Sequence, residues 1–274
     1  MEKPIYISSY CVNFRDYDAL LSMIEDFHDF PAGAEFGTWW GKYADIPALL
    51  DAAIPRFKQY PSTIHSPFCD ICAPEGSDAQ RVQEAAFEKA CRQYVALGSS
   101  SMVVHTHEAA QPKKEGQALS KSRLLKTHEL LKSYGIPMTV ENVGYPHKGN
   151  VLFDEEDFIR LFDELPEEIG ALIDTGHAML NRWDIVGVIR WLGPRIRGYH
   201  LNNNDGESDL HYPCFDARGF YSEAQMEEVI RAIAECSPEA ELIIEYAPGE
   251  HITKELMHGE MRRIMQIYRE ALPR

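Results

Sequence analysis

The stretch "LIDTGHAML", residues 172–180, sets Asp174 and His177 three residues apart, directly after an apolar run. A carboxylate and an imidazole placed there are either two ligands for a divalent cation or the polar punctuation of a strand-to-helix turn. Taken alone, the turn is the simpler reading, but the arrangement recurs. "MVVH" ends on His105, "MTVE" on Glu141 and "LIIE" on Glu245. His65 in "STIHSP" and His200 in "IRGYHLN" close two more runs, and Glu35 lies near the end of "AGAEFG". With 43 Asp+Glu and 11 His in 274 residues, about one position in five carries such a group, so one at each of seven successive run ends is too regular for chance. An ionised carboxylate at the end of a strand buried on both faces costs several kcal/mol unless it is paired or metal-bound. Imidazoles and carboxylates without thiolate suit Zn2+, Mn2+ or Co2+ and fit Ca2+ poorly.

Such residues act together only if the elements carrying them converge. Eight short β-branched or aromatic runs span 4–10, 32–37, 62–67, 101–107, 137–143, 170–176, 196–202 and 241–247. Amphipathic stretches alternate with them, such as "DAQRVQEAAFEKACRQYVALG" (78–98), which ends on a glycine stop, and "SKSRLLKTHELLKSYG" (120–135). This alternation predicts a parallel sheet covered by helices, and eight units fit a closed (β/α)8 TIM barrel, with an open doubly wound sheet as the rival. No linker or low-complexity segment divides the chain, which reads as one domain over 1–274. In a barrel the C-terminal strand ends meet at one mouth, where catalytic groups sit. Beyond the seventh run lies the longest connection, "NNNDGESDLHYPCFDARGFYSEA". Within it Asp209 and His211 stand at i and i+2, on one side of an extended segment, where they and His177 could close a further metal position.

Other residues carry less. His107 continues the fourth strand on the face of His105 and is a candidate substrate contact, as are Glu35 and Trp39 of the Trp39-Trp40 pair; a surface histidine and aromatic packing under a loop are the plainer readings. Lys113, Lys114, Lys148 and Arg182 are the few basic residues near the mouth, able to hold a phosphate or simply solvated. His28, His128, His147, His251 and His258 read as structural or surface residues. The formal charge of −16 repels polyanions and argues against nucleic acid as a partner. The N-terminus lacks the order of a secretory signal and no apolar run approaches ~18 residues, so no membrane span and a cytoplasmic location are expected. Cys69-Asp-Ile-Cys72 is the only close pair among six cysteines, which read as free thiols. No G-x-x-x-x-G-K-S/T, G-x-G-x-x-G or G-x-S-x-G occurs, which removes nucleotide-cofactor and serine-hydrolase chemistry. Oligomeric state is left open, a homo-oligomer included.

The ordered set "IHSPF", "VVHTH", "TVENVG", "LIDTGHA", "GYHLNNNDG…DLH" and "LIIEY" resembles the xylose isomerase-like TIM barrels, which include sugar and sugar-phosphate isomerases and epimerases and endonuclease IV. The resemblance runs over nearly the whole chain. It implies a core metal site of Glu141, Asp174, His200 and Glu245, a second ion at His65 and His105 with Glu141 bridging, and a third at His177, Asp209 and His211, so one to three ions of Zn2+ or Mn2+. Two motifs depart from the family pattern: His105-Thr106-His107 stands in place of His-Pro-Gly, and "FDARGF" in place of a Gly-x-Gly turn after Asp-x-His.

The leading expectation is a metal-dependent isomerase or epimerase acting on a small sugar or sugar phosphate. Glu141 and Glu245 face each other across the substrate, one removing a proton and the other returning it through an enediolate. Phosphodiester cleavage at a three-metal site of the endonuclease IV kind is the alternative, supported by the complete ligand set and opposed by the acidic charge and the acidic third loop "CDICAPEGSD". A barrel that binds metal or sugar without turnover is the third reading.

Overall fold

All eight apolar runs form strands, most of them stopping short of the run's end because the chain turns into a loop once the polar residue is reached. The strands are β1 (Ile5–Ser8), β2 (Ala32–Gly37), β3 (Ser62–His65), β4 (Met102–His105), β5 (Met138–Glu141), β6 (Gly170–Asp174), β7 (Ile196–Leu201) and β8 (Glu241–Ile244). The computed structural model describes every residue except 1, 39, 40, 42, 43 and 274. Each strand pairs in parallel with the next, and β8 pairs with β1, so the sheet closes into a barrel and the open-sheet alternative falls. Helices fill the connections, including Asp78–Leu97, which stops at Gly98 in the left-handed region (φ 74°), where glycine carries no Cβ penalty. Helix Lys113–Ser133 begins seven residues before the expected 120. Its first turns, "KKEGQAL", are polar and hide their periodicity, and Gly116 is packed so closely on Leu152 that a Cβ would lie 2.7 Å from Cδ1. Among the described residues no helix is long and apolar enough to cross a membrane.

Two buried clusters separate the faces of the sheet. The larger fills the space between strands and helices. The smaller, Tyr6, Val103, Leu172 and Ile243, comes from alternate positions of β1, β4, β6 and β8 and plugs the barrel beneath its mouth. Register then sets which polar ends are level: His105 lies beside Glu141, and Asp174 beside His200. The second match depends on an irregularity. Ala171 is level with Ile196 but Leu172 with Gly198, so β7 carries Arg197 as an extra residue. Without it Tyr199 would stand level with Asp174, and His200 would point to the other face. Two glycines make room: a Cβ on Gly170 would lie 2.7 Å from the Arg197 side chain, and one on Gly198 2.9 Å from Leu172.

Candidate metal centre

Glu141, at the end of β5, is the hub. Its Oε2 lies 3.3 Å from His65 Nε2 and 3.2 Å from His105 Nε2, while Oε1 lies 3.3 Å from His177 Nδ1 and 3.4 Å from His200 Nδ1. His200 Nδ1 also faces Glu245 Oε2 at 3.4 Å and Asp174 Oδ2 at 3.9 Å. Glu245 stands one residue past β8 and accepts a hydrogen bond from Ser8 at 3.2 Å. In the seventh loop Asp209 Oδ1 sits 3.1 Å from His211 Nε2 and 3.6 Å from His177 Nε2. All nine residues expected as ligands therefore meet at one mouth. Three groupings bring their donor atoms within 4.8 Å of one another: His65, Glu141 and His200; Asp174, His177 and His211; Glu35, His200 and Glu245.

Whether this set suits a metal is decided by where the remaining polar atoms point. Four of the five imidazoles have Nδ1 hydrogen-bonded to a flanking carbonyl or carboxylate. Nδ1 of His65 meets the Ser66 carbonyl (3.0 Å), that of His105 the Glu108 carboxylate (2.5 Å), that of His177 the Asn142 carbonyl (2.9 Å) and that of His211 the Glu245 carbonyl (3.0 Å). His200 instead turns Nε2 outward, facing Glu35 Oε1 at 3.0 Å without an aligned hydrogen bond. Outer partners of this kind fix the tautomer and leave the other nitrogen's lone pair for a cation. Inside the cluster, Glu141 Oε2, His200 Nδ1 and Asp209 Oδ1 are buried and take no aligned hydrogen bond. Such orphaned buried atoms are rare and call for a partner. The buried His, Glu and Asp groups can therefore bind metal, and the donor set is nitrogen and oxygen.

Neighbouring loops hold the cluster in place. Asp174 Oδ1 accepts from the His177 backbone N–H (2.7 Å) and Oδ2 from Asn202 Nδ2 (2.8 Å). Asn142 extends the β5–β6 ladder with its side chain, accepting from Asp174 N and donating to Asp174 O. Charge separation across the site is strong. Burial would raise Glu141, but the imidazoles of His200 and His105 hold it well below the usual carboxylate range. Burial opposes protonation of His105 and His211, yet Glu141 and Glu108 raise the first, and Asp209 and Glu245 the second, to about 10. Burial, with Glu141 and Glu35 adding to it, raises Glu245 against the pull of His200 and His211.

The mouth opens into a cavity of about 380 Å3 walled by Tyr10, Phe14, Phe68 and Tyr145, with Cys69, Asp70, Glu108 and Lys148 at its edge. Phe68 stacks on His65, ring centroids 4.3 Å apart. Reasoning from sequence missed these walls, although "IHSPF" carries Phe68 three residues after His65, and "HTHE" places Glu108 three residues after His105. Two expected substrate contacts lie elsewhere. Because β4 ends at His105, the alternation does not continue to His107, whose Nε2 meets the Asn150 carbonyl at 2.6 Å outside the cavity lining. Glu35 lies inside the barrel under His200, with 0% exposure. Trp39 and Trp40 lie outside the described residues. Among the basic residues Lys113 is bound by Asp154 and Asp157, and Arg182 donates to the Gly206 carbonyl over the Phe220 ring. All six cysteines are free, and burial pushes the thiols of Cys69 and Cys72 up to about 12.

A closed parallel barrel with a His/Asp/Glu cluster at its C-terminal mouth defines a class of barrels with a metal-capable mouth. The family model described as xylose isomerase-like TIM barrel matches residues 33–263, and the chain belongs to that family. Among solved structures it is similar to a D-tagatose 3-epimerase-like protein (TM-score 0.71, 19% identity, 98% of this chain and 99% of that one). It is similar also to an IOLI protein with a bound zinc atom (0.75, 14%, 100% of both chains) and to endonuclease IV from Thermus thermophilus (0.61, 16%, 99% and 100%). At these identities the likeness is one of fold. A search of curated protein sequences finds no match.

Proposed function

We propose that the chain is, over one domain spanning 1–274, a metal-dependent sugar or sugar-phosphate isomerase or epimerase. One observation carries the reading: Glu141 at the end of β5 and Glu245 just past β8 each reach within 3.4 Å of the same atom, His200 Nδ1, under a cavity of about 380 Å3. That volume lies at the small end of the roughly 300–1,000 Å3 typical of small-molecule sites. Aromatic rings on its walls suit the C–H faces of a monosaccharide. The core ion is assigned to Glu141, Asp174, His200 and Glu245, with His65 and His105 or His177, Asp209 and His211 holding further ions. Zn2+ or Mn2+ held by these residues would supply Lewis acidity to a substrate carbonyl, making the neighbouring C–H more acidic. Glu141 and Glu245 then move the proton, one taking it from one face and the other returning it on the opposite face. Asn142 and Asn202 keep Asp174 still, and the aromatic walls exclude water.

Proton transfer of this kind exchanges substrate hydrogen with solvent. With Mn2+- or Zn2+-loaded protein and a panel of ketoses and their phosphates in D2O, deuterium incorporation followed by NMR is expected for at least one sugar. Glu141→Gln and Glu245→Gln should lower the rate by roughly 10²- to 10⁴-fold. Wild-type exchange in Glu245→Gln would remove that residue from the mechanism. The complete nine-residue set favours one second reading, phosphodiester cleavage. Cleavage of abasic-site DNA without any sugar exchange would establish that reading instead.

A further inference from the structure

His200 is the exception among the five imidazoles. In the other four Nδ1 is hydrogen-bonded to a flanking group, although that of His177 also lies 3.3 Å from Glu141 Oε1, whereas His200 turns Nε2 to Glu35 and has Nδ1 facing Glu141 and Glu245. The geometry points to Glu35 as the positioning residue that fixes this inversion, its carboxylate 3.0 Å from Nε2 favouring the proton on that nitrogen so that the Nδ1 lone pair is the one offered to the central ion. This inference rests on the proposed metal reading. Glu35 projects from β2, level with Ser8 of β1 and Thr63 of β3, and is fully buried below the ligands. Neither of its oxygens takes an aligned hydrogen bond, and among the described residues only His200 comes within ion-pair distance, at 3.0 Å. Its one ion-pair contact makes His200 the group it acts on, and the grouping of Glu35, His200 and Glu245 within 4.8 Å keeps it beside the cluster. The opposite tautomer would set the Nε2 lone pair against Glu35 Oε1 at 3.0 Å, acceptor against acceptor, and point N–H at the ligand cluster. Glu35 lies outside the cavity lining, so substrate contact does not account for it.

Two near-isosteric variants separate position from charge. Glu35→Gln keeps an oxygen acceptor in place and loses the charge; Glu35→Asp keeps the charge and withdraws it by one methylene from His200. The probes are Zn2+ and Co2+ alone, read by competition titration, by the Co2+ visible spectrum and by 15N–1H NMR of histidine-labelled, zinc-loaded protein, with circular dichroism confirming the fold. Wild type should show a downfield, exchange-protected His200 Nε2–H. Glu35→Asp should lose that signal, shift the Co2+ spectrum and bind Zn2+ about 10- to 100-fold more weakly. Glu35→Gln should keep the signal and stay closer to wild type in affinity. Wild-type affinity and spectrum in Glu35→Asp, or zinc-loaded His200 carrying its proton on Nδ1, overturns the assignment while the metal reading stands. Wild-type protein that binds neither ion overturns the metal reading and this inference with it.

Discussion

At the scale of single residues, the site is a balance of imidazoles against carboxylates that no residue could keep alone. His105 and His211 are raised to about 10, so near neutral pH the metal-free site holds them protonated against Glu141, Glu108 and Asp209. A raised folded-state value stabilises the fold fully below the unfolded value near 6.5, and that contribution is lost as pH rises through about 10. Metal ligation requires neutral imidazole, so ion and proton compete. Binding of Zn2+ at pH 7 should release at least one proton, and affinity should climb with pH up to about 10. Calorimetric titration in two buffers of different ionisation enthalpy measures this; a binding enthalpy independent of buffer would mean the imidazoles are already neutral.

At the scale of elements, position is set by small irregularities more than by the strands themselves. The extra Arg197 turns His200 into the barrel, and Gly170 and Gly198 admit the bend. Just past β6, Gly176 lets the seventh loop approach: a Cβ there would lie 2.0 Å from Asn202 Oδ1, and the Gly176 carbonyl accepts from Asn204 Nδ2 at 2.7 Å. Gly176→Ala must push Asn202 from its hydrogen bond to Asp174 Oδ2. We expect a destabilisation of roughly 1–3 kcal/mol from overpacking and a Zn2+ affinity lower by about 10-fold. Urea unfolding and metal titration read the two effects separately. Weakened stability with unchanged affinity would show that Asn202 does not support a metal-holding role of Asp174.

At the scale of the whole molecule, charge and shape act on the choice of substrate. A net −16, with Lys113 and Arg182 already engaged, leaves Lys148 as the one lysine or arginine among the described residues that line the cavity. A phosphodiesterase acting on DNA needs a row of cations to hold phosphates. Fluorescence anisotropy with abasic-site duplex at about 0.15 M salt should therefore show no binding, and a salt-dependent affinity would revive the nuclease reading. The barrel itself was legible early. Strands buried on both faces must read as apolar runs, and helices between them must show their own period, so eight alternations mark eight units. Cluster residues such as Asp174 and Glu141 were legible too, because a charged group closing an apolar run stands out. The walls Tyr10, Phe14 and Tyr145 were not, since an aromatic residue in a loop looks the same whether it lines a cavity or packs beneath it.

By itself, then, the sequence determined the alternation of eight strands with helices and the residue type at each strand end, because both follow from burial and periodicity along the chain. Tertiary structure decided closure of the sheet, the extra residue in β7 that aims His200, the retreat of His107 to the Asn150 carbonyl, and the burial of Glu35 beneath His200. These depend on register and on contacts between residues far apart in the chain. A single residue's offset reverses the face on which a side chain lies, and no local pattern records that offset.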